Sequence, residues 1–354
     1  MLDLHGQIHY SYGIVSHRYI SGEIHKSLME LQQLNYLNLS GNYFPDRGIP
    51  DFLASLSNLR YLDLSNSHFG GQIPTQFGSL SHLKYLNLAE NSLEGSIPRQ
   101  LGNLSQLHHL DLSYNSLEGS IPSQIGNLSQ LQHLDLSYNS LEGSIPSEIG
   151  NLSKLQHLDL SYNYYEGSIP FQLGNLSNLQ KLYLGGGALK IDDGDDWLSK
   201  LISLTHLSLH SISHLNNSHS CLPMIVKLPK LRELSLMDCS LSDHFILSLR
   251  PSEFNFSSSL SILDLSWNSF TSSMILQWLS NVTSNLVEHL DLSSNQFEGN
   301  IPDLSVFSSL KTLDLSYNQL SGKIPEDIRL PSHLESLSIQ SNSLKGGIPK
   351  SFGN

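Results

Sequence analysis

The sequence predicts a repeat solenoid of the α/β type, in which short parallel strands stack into one inner sheet. Three observations carry this prediction. The template L-x-x-L-x-L-x-x-N-x-L-x-G-x-I-P recurs along most of the 354 residues. Its L-x-L segment alternates with period two, as a half-buried strand does. Its first leucine recurs at Leu59, Leu83, Leu107 and onward. The length of the chain therefore reflects the number of repeats and not the number of domains.

Each repeat is numbered from its first apolar residue, which is position one. The leucines at positions four and six should point into the core, while positions three and five face the other way, onto a concave sheet. The chain then contains twelve complete repeats and a thirteenth that runs to Asn354. Position one falls at Leu34, Leu59, Leu83, Leu107, Leu131, Leu155, Leu179, Leu204, Leu231, Leu260, Val287, Leu310 and Leu334.

Asparagine at position nine follows the strand, where the chain turns inward. A buried amide can bond the backbone groups that adjacent coils leave without partners, so we expect this residue to be structural. It occurs as Asn42, Asn91, Asn115, Asn139, Asn163, Asn268, Asn295, Asn318 and Asn342.

The tail of the repeat combines a glycine turn with a proline of fixed φ and a buried isoleucine, as in Gly95, Ile97 and Pro98. This L-x-G-x-I-P tail resembles the plant-specific class of leucine-rich repeats, found in receptor-like kinases, receptor-like proteins and polygalacturonase inhibitors. The resemblance covers residues 34–354 and is least regular over 185–286. It implies a curved, superhelical stack with a parallel inner sheet, a short second sheet and 3-10 or loop segments on the convex side.

Three segments within the irregular region are similar to the receptor-like proteins related to the ethylene-inducing-xylanase receptor. They are residues 204–209, 231–241 and 278–286. The resemblance also implies paired cysteines and a tryptophan in an N-terminal cap, which residues 1–33 lack. We therefore expect residues 1–33 to be the remnant of a truncated earlier coil or cap region. Residues 34–354 should form a single solenoid of about 13 repeats without a C-terminal cap.

The charge balance is acidic, with 32 Asp and Glu against 19 Lys and Arg. Nucleic-acid binding needs clustered cations to displace counterions from phosphates, so neither nucleic acid nor an anionic membrane is expected as a partner. The chain shows no signal-peptide pattern and no apolar run long enough to cross a membrane.

The candidate ligand-binding residues lie on the predicted concave face. Histidines at position three, aspartates at position five and aromatic rings at position eight form a ladder that suits a peptide, protein or glycan ligand. With neighbouring residues of the irregular region, the candidates are His109, Asp111, Tyr114, His133, Asp135, Tyr138, His157, Asp159, Tyr162, Tyr183, His206, Arg232, Glu233, Trp267 and His289. A competing interpretation is that duplicated repeats simply copy whatever their exposed positions first held.

The ladder suggests two further properties. Each of His109, His133 and His157 precedes an aspartate by two residues, so we expect carboxylates to favour imidazolium and the ladder to become cationic in mildly acidic surroundings. A zinc site on the three histidines is sterically conceivable at strand spacing. Because no fourth ligand and no supporting shell is evident, neither a metal nor another cofactor is predicted.

Other motifs favour structural roles. The acidic run of residues 192–196 lacks the ligand spacing of a calcium loop and is expected to be solvated. Cys239 stands at position nine, where a buried free thiol is expected, although pairing with Cys221 stays open. Glycosylation sequons, which suit a secreted family, occur at Asn38, Asn103, Asn127, Asn151, Asn175, Asn216, Asn255 and Asn281.

The resemblance favours an extracellular recognition scaffold over an enzyme. The first hypothesis is the ectodomain of a plant cell-surface receptor in defence or developmental signalling, with a peptide or protein ligand and a leucine-rich-repeat co-receptor as the partners that the resemblance implies. The alternative is a soluble apoplastic inhibitor of a cell-wall-degrading enzyme, similar to polygalacturonase inhibitors, which have fewer repeats. A kinase would require the Gly-rich loop, H-R-D and D-F-G motifs, which these residues lack.

Overall fold

The computed structural model describes residues 1–11, 14–45, 47–192, 196–212, 215, 221–248, 256, 258–283, 286–301 and 303–350. The chain divides into two compact units, residues 1–181 (unit 1) and residues 182–354 (unit 2). The assignment of residues 1–33 to a truncated coil and of residues 34–354 to a single solenoid both stay predictions.

Unit 1 is built on a parallel inner sheet whose strands coincide with positions three to five of the repeats. Neighbouring strands pair in strict register, so that each residue lies beside its equivalent in the next repeat. The strands are Leu2–Asp3, Tyr36–Asn38, Tyr61–Asp63, Tyr85–Asn87, His109–Asp111, His133–Asp135 and His157–Asp159. The leucines at positions four and six are buried in every complete repeat of the unit.

A second short parallel sheet and a row of 3-10 helices complete each coil of unit 1. The second sheet contains Arg47–Gly48, Phe69–Gly71, Ser92–Ser96, Ser116–Gly119, Ser140–Gly143 and Tyr164–Ser168. The 3-10 helices are Lys26–Glu30, Asp51–Ser55, Thr75–Ser79, Arg99–Asn103, Ser123–Asn127, Ser147–Asn151 and Phe171–Asn175. Both features confirm the expectation drawn from the L-x-G-x-I-P tail.

Close packing of successive 3-10 helices explains why each of the regular ones carries a glycine near its end. A Cβ added to Gly126 would overlap the backbone carbonyl group of Glu148 in the next coil. The same holds for Gly102 against Gln124. The glycine is therefore required by contact between coils rather than by an unusual φ.

Unit 2 repeats the same architecture with more variation. Its inner strands are His206–His210, Glu233–Ser235, Ile262–Asp264, His289–Asp291, Thr312–Asp314 and Ser336–Ser338, and Lys181–Gly185 begins at the last residue of unit 1. Its short outer strands are Ala188–Lys190, Glu298–Gly299, Gln319–Lys323 and Ser343–Lys345. One 3-10 helix, Leu198–Lys200, is found in its first described coil.

The longer repeats of unit 2 carry α-helices where the regular repeats carry 3-10 helices. The helices are Cys221–Ile225, Asp243–Ser248 and Met274–Thr283. Each falls in a repeat that is longer than the regular ones, those that begin at Leu204, Leu231 and Leu260. An α-helix rises less per residue than a 3-10 helix, so it fits more residues into the same return path. In the described part of the chain, no helix is long and apolar enough to cross a membrane.

The amino-terminal segment contains a hairpin that the repeat pattern does not predict. Strands Gln7–Ser11 and Ile14–Arg18 pair antiparallel. They come after Leu2–Asp3, which pairs in parallel with Tyr36–Asn38. The hairpin is thus an insertion within the first coil, and it lies outside the repeat template that the later coils obey.

The position-nine asparagines make the backbone hydrogen bonds that the sequence predicts. Asn115 Nδ2 donates to the carbonyl oxygens of Leu88, Leu112 and Ser113, and its Oδ1 accepts from the Leu93 amide. Equivalent bonds join the coils in both units. One amide therefore bonds the backbones of two adjacent coils.

Cys239 takes the place of the amide at position nine in its repeat. Its Sγ donates to the carbonyl oxygen of Leu209 at 2.9 Å, which is the bond that asparagine makes elsewhere. Cys221 is also buried, and the two thiols are not bonded to each other. Burial raises the pKa of the Cys239 thiol to about 12, so the group is an inert structural thiol.

Candidate ligand-binding face

A column of stacked rings occupies position three along the solvent side of the inner sheet in unit 1. It begins at Tyr36 and continues through Tyr61 and Tyr85 with ring centroids 4.3 and 4.2 Å apart. Three histidines extend it, at the spacings 4.3, 4.2 and 4.3 Å from Tyr85 through His109 and His133 to His157. The strand register fixes this spacing, because equivalent residues pair directly across a parallel sheet.

A column of carboxylates runs beside the rings at position five. Asp111 Oδ1 accepts hydrogen bonds from the Ser113 amide at 3.0 Å and from the Ser113 hydroxyl at 2.7 Å. Asp135 and Asp159 are held in the same way by Ser137 and Ser161. In each case a single carboxylate oxygen, Oδ1, accepts both hydrogen bonds, so the serine that follows the strand fixes the carboxylate.

Burial shifts the pKa of individual residues in both columns. It lowers the pKa of His109 to about 4, with a smaller contribution from the neighbouring imidazole of His133. Burial also lowers the pKa of His133, although Asp111 opposes the change. Burial raises the pKa of Asp135 to about 7, and repulsion from Asp159 adds to it.

The expectation that the histidine ladder becomes cationic in mild acid is therefore wrong for His109 and His133. Attraction by the carboxylates was expected to dominate, but stacking removes water from the rings, and the loss of hydration disfavours imidazolium. The sequence shows that the rings adjoin one another, but it does not show how far they are dehydrated.

Position eight presents an aromatic ring from a left-handed backbone. Tyr114, Tyr138 and Tyr162 have φ of 52°, 53° and 54°, and their rings stack with centroids 4.2 Å apart. Trp267 and Tyr317 hold the same backbone conformation in unit 2, and the Trp267 side chain is 61% exposed. All five of these aromatic side chains are exposed.

The solvent side of the sheet in unit 2 is open where that of unit 1 is filled with rings. Positions three and five there carry smaller side chains, including Ser235, Thr312, Ser336 and Ser338, in direct register across the strands. They leave a groove of about 420 Å³, which Glu233 and His289 also line. This groove could not be located from the sequence, because it depends on which small residues lie side by side.

Carboxylates dominate the charge of this groove. Glu233, Asp264, Asp291 and Asp314 line it, and no lysine or arginine is among its described lining residues. Ser235 donates to Asp264 at 2.8 Å, and His289 Nδ1 lies 2.8 Å from the Thr312 hydroxyl. Burial raises the pKa of Asp291, with repulsion from Asp264 and Asp314 adding to it. The groove therefore favours a cationic group.

Three other candidates of the irregular region are not among the described residues that line this groove. His206 Nε2 lies 3.7 Å from the Glu233 carboxylate. Arg232 is exposed just before the strand Glu233–Ser235, at position two rather than three. Tyr183 lies half-buried in the strand Lys181–Gly185, at position five of the repeat that begins at Leu179.

The sequons and the acidic loop are only partly described. Asn103, Asn127, Asn151 and Asn175 are exposed near the ends of 3-10 helices, and Asn281 is exposed on the helix Met274–Thr283, whereas Asn38 is half-buried in an inner strand. Asn216 and Asn255 lie outside the described residues, as do residues 193–195 of the acidic run. Asp196 accepts from the Ser199 hydroxyl at 2.6 Å and lies 3.6 Å from Lys227 Nζ.

Comparison with known proteins places these features in a family. The leucine-rich repeat region family matches residues 16–138 and 110–339, and the leucine-rich repeat family matches residues 333–354. Receptor-like protein EIX1 of Solanum lycopersicum is 33% identical over 288 residues, which are 80% of this chain and 18% of the relative. Receptor-like protein EIX2 of the same plant is 43% identical over 77 residues, which are 22% of this chain and 8% of the relative.

A solved structure agrees with the sequence relatives. The plant peptide hormone receptor RGFR1, solved in complex with RGF2, superposes with a TM-score of 0.69 at 32% identity, over 94% of this chain and 55% of that one. The chain thus spans only part of each protein compared, and it shares their repeat architecture. It belongs to the leucine-rich-repeat family, and within that family it is similar to plant receptor-like proteins.

Proposed function

We propose that this chain is the ligand-recognition region of an extracellular plant receptor, and that a peptide or protein segment carrying lysine or arginine binds in the groove of unit 2. The observation that carries the proposal is the groove itself. It has about 420 Å³ of open space, and its charged lining consists of four carboxylates and one histidine.

The electrostatics of the groove support a basic ligand. Asp264, Asp291 and Asp314 lie one strand apart in register, so Asp264 and Asp314 both repel the carboxylate of Asp291. A bound guanidinium or ammonium group would relieve this repulsion, because it can donate hydrogen bonds to two neighbouring carboxylates at once. Attraction between such charges also speeds encounter with a ligand.

Exposed aromatic residues offer apolar contact beside the charged groove. Trp267 follows the strand Ile262–Asp264, and Tyr317 follows Thr312–Asp314, so both rings rise from turns after groove-lining strands. Rigid aromatic side chains often dominate binding energy, because they bury large area with little loss of conformational entropy. We assign them the role of contact residues beside the groove.

The extracellular assignment is supported by the exposed sequons and by similarity to receptor-like proteins. A structure similar to this one, RGFR1, was solved with the ligand RGF2. The role that we propose at the cell surface is recognition of a peptide or protein ligand for defence or developmental signalling, with a leucine-rich-repeat co-receptor as a further partner.

The test is selection of a random peptide library displayed on phage against the purified chain. We expect the selected peptides to be enriched in Lys and Arg and to bind a variant with reversed groove charge, Asp291→Lys with Asp314→Lys, about ten-fold more weakly or worse. The matched control is Glu298→Lys with Glu326→Lys, which makes the same charge change at exposed residues outside the inner sheet.

Trp267→Ala should lower the affinity for the same peptides, because it removes an exposed ring without altering the groove charge. Peptides that bind the wild type, the groove variant and the control with equal affinity would show that the groove is not the ligand site. Selection of acidic peptides would contradict the proposed chemistry of the ligand, while leaving the location of the site to be read from the variants.

A further inference from the structure

Two sets of potential metal ligands lie in the ring and carboxylate columns of unit 1. His109, Asp111 and His133 form one set, and His133, Asp135 and His157 form the other. Within each set, one ligand atom from every residue lies within 4.8 Å of the others. The sequence suggested only the three histidines, whereas the structure adds a carboxylate to each pair of them.

The scaffold holds these groups in place. Residues two apart on one strand face the same side, and the register places His109 beside His133 and Asp111 beside Asp135. Ser113 donates two hydrogen bonds to Asp111 Oδ1, and these bonds fix the orientation of the carboxylate beside the imidazoles. Ligand carboxylates in metal sites are oriented by hydrogen bonds of this kind. The supporting contact that the sequence did not reveal is therefore present.

One potential ligand atom of the first set is available for coordination. Nε2 of His109 is buried, and it has no hydrogen-bond partner among the described residues. A buried polar atom without a partner is unfavourable, because it has lost its hydrogen bonds to water. Coordination would satisfy this nitrogen in its neutral, lone-pair form.

The composition of the set identifies the class of ion. Two imidazole nitrogens and one carboxylate oxygen suit zinc and similar divalent transition metals, which bind such atoms at about 2.0–2.2 Å. The rings stack with an interplanar angle of 10°, so one imidazole must turn about its Cβ–Cγ bond to aim its lone pair at the ion. Three protein ligands leave one tetrahedral position for water or for a group of a bound ligand.

We propose that His109, Asp111 and His133 bind one divalent transition-metal ion of the zinc class, and that His133, Asp135 and His157 form the equivalent site one repeat further along. Because both sites use His133, the chain binds one ion at a time across the two. The proposal is independent of the peptide groove, which lies in unit 2.

The test uses the full chain, freed of metal with a chelator and titrated with Zn²⁺ at neutral pH by calorimetry. Each histidine is replaced by tyrosine, which the column already holds at Tyr36, Tyr61 and Tyr85, so that ring stacking is kept while the ligand nitrogen is lost. His133→Tyr should weaken Zn²⁺ binding at least about ten-fold, because it removes the shared ligand. His109→Tyr should keep one ion per chain within about three-fold of the wild-type affinity, because the second site remains.

His289→Tyr, the same change at position three of unit 2, is the control and should leave the affinity unchanged. Where a tyrosine variant fails to fold by circular dichroism, Asp111→Asn with Asp135→Asn replaces it, since Asn38 and Asn87 already occupy position five. The proposal would be overturned if the affinity for Zn²⁺ fell equally in His133→Tyr, His109→Tyr and His289→Tyr, or if it fell in none of them. Co²⁺ added in place of Zn²⁺ should give the visible spectrum of a tetrahedral ion in the wild type. This spectrum should be absent from His133→Tyr.

Discussion

The side-chain nitrogen of Asn139 donates to the carbonyl oxygen of Leu112, 27 residues earlier in the chain, at 2.9 Å. The same nitrogen bonds two carbonyls of its own coil, and Oδ1 accepts from the Leu117 amide of the previous coil. A single buried side chain therefore satisfies four backbone groups, and these groups belong to two repeats.

Asn139→Ala should destabilise the fold by about 2–4 kcal/mol, because the buried backbone groups lose their partners. Asn139→Cys should cost less, since Cys239 makes the equivalent bond to Leu209. Asn127→Ala, which changes an exposed asparagine of the preceding repeat, is the control and should be close to neutral. Urea denaturation compares the three, and an Asn139→Ala protein as stable as Asn127→Ala would contradict the structural role.

Gly126→Ala should also be destabilising, by about 1–3 kcal/mol, because the added methyl overlaps the Glu148 backbone. Gly347→Ala is the matched control, since a Cβ there meets nothing within 4 Å and its φ is not in the left-handed region. Thermal unfolding distinguishes the two variants. Equal melting temperatures would mean that the coils separate at little cost.

Tyr165→Phe should stabilise the fold by about 1 kcal/mol. Tyr165 is fully buried at a position that holds leucine in the two preceding repeats, and its hydroxyl has no hydrogen-bond partner among the described residues. Removing an unsatisfied buried hydroxyl is favourable, whereas Tyr164→Phe changes an exposed neighbour and should be neutral. A destabilised Tyr165→Phe protein would reveal that the hydroxyl is bonded in solution.

Asp135 should make stability depend on pH in the chelator-treated chain. Its folded pKa of about 7 lies above its ordinary value of 3.8, so the folded state binds the proton more tightly. The stability linked to this group is present below pH about 4 and is lost as pH rises toward 7. Asp135→Asn keeps an acceptor for Ser137 and removes the charge, so it should be more stable than the wild type by about 1–3 kcal/mol at pH 8.

At pH 4.5 the two proteins should differ little, since Asp135 is then protonated in the folded state. Asp303→Asn is the control, because Asp303 is exposed outside the inner sheet. Denaturation at both pH values makes the comparison. A stability difference between Asp135→Asn and the wild type that is the same at both would show that Asp135 ionises normally.

Secretion from a eukaryotic host should attach glycans at Asn103, Asn127, Asn151 and Asn175, because each is exposed at the end of a 3-10 helix. Mass spectrometry of peptides released after enzymatic deglycosylation measures the occupancy of each asparagine. Replacing all four by Gln should remove four glycans without lowering the melting temperature. Four unmodified asparagines in secreted protein would count against an extracellular role.

The repetitive part of the fold was open to prediction because each repeat position has one physical role. The strands, the buried leucines and the position-nine amides all derive from a single template, and Cys239 fits it as a substitute. The hairpin formed by Gln7–Ser11 and Ile14–Arg18 was not predictable, since it is inserted outside the period. The α-helices of unit 2 were signalled only by repeat length, without a capping pattern to identify them.

The candidate site was predictable in composition but not in physical state. The sequence placed His109, His133 and Asp135 on one face, yet their protonation depends on dehydration by stacked neighbours, which no pairwise charge argument includes. The groove of unit 2 was missed because an open space is defined by small residues such as Ser235 and Thr312. Those residues carry no chemical signal of their own until the register is known.

The left-handed backbone at position eight has a consequence for how such a chain can vary. Gly41, Asn66, Glu90, Tyr114 and Trp267 all adopt it, although they share no side-chain chemistry. The turn is thus set by the hydrogen bonds of adjoining coils, and the residue that occupies it is free to change. Mutation can exchange aromatic, acidic or small side chains at position eight and so change which ligands the surface contacts. The backbone of the coils stays the same.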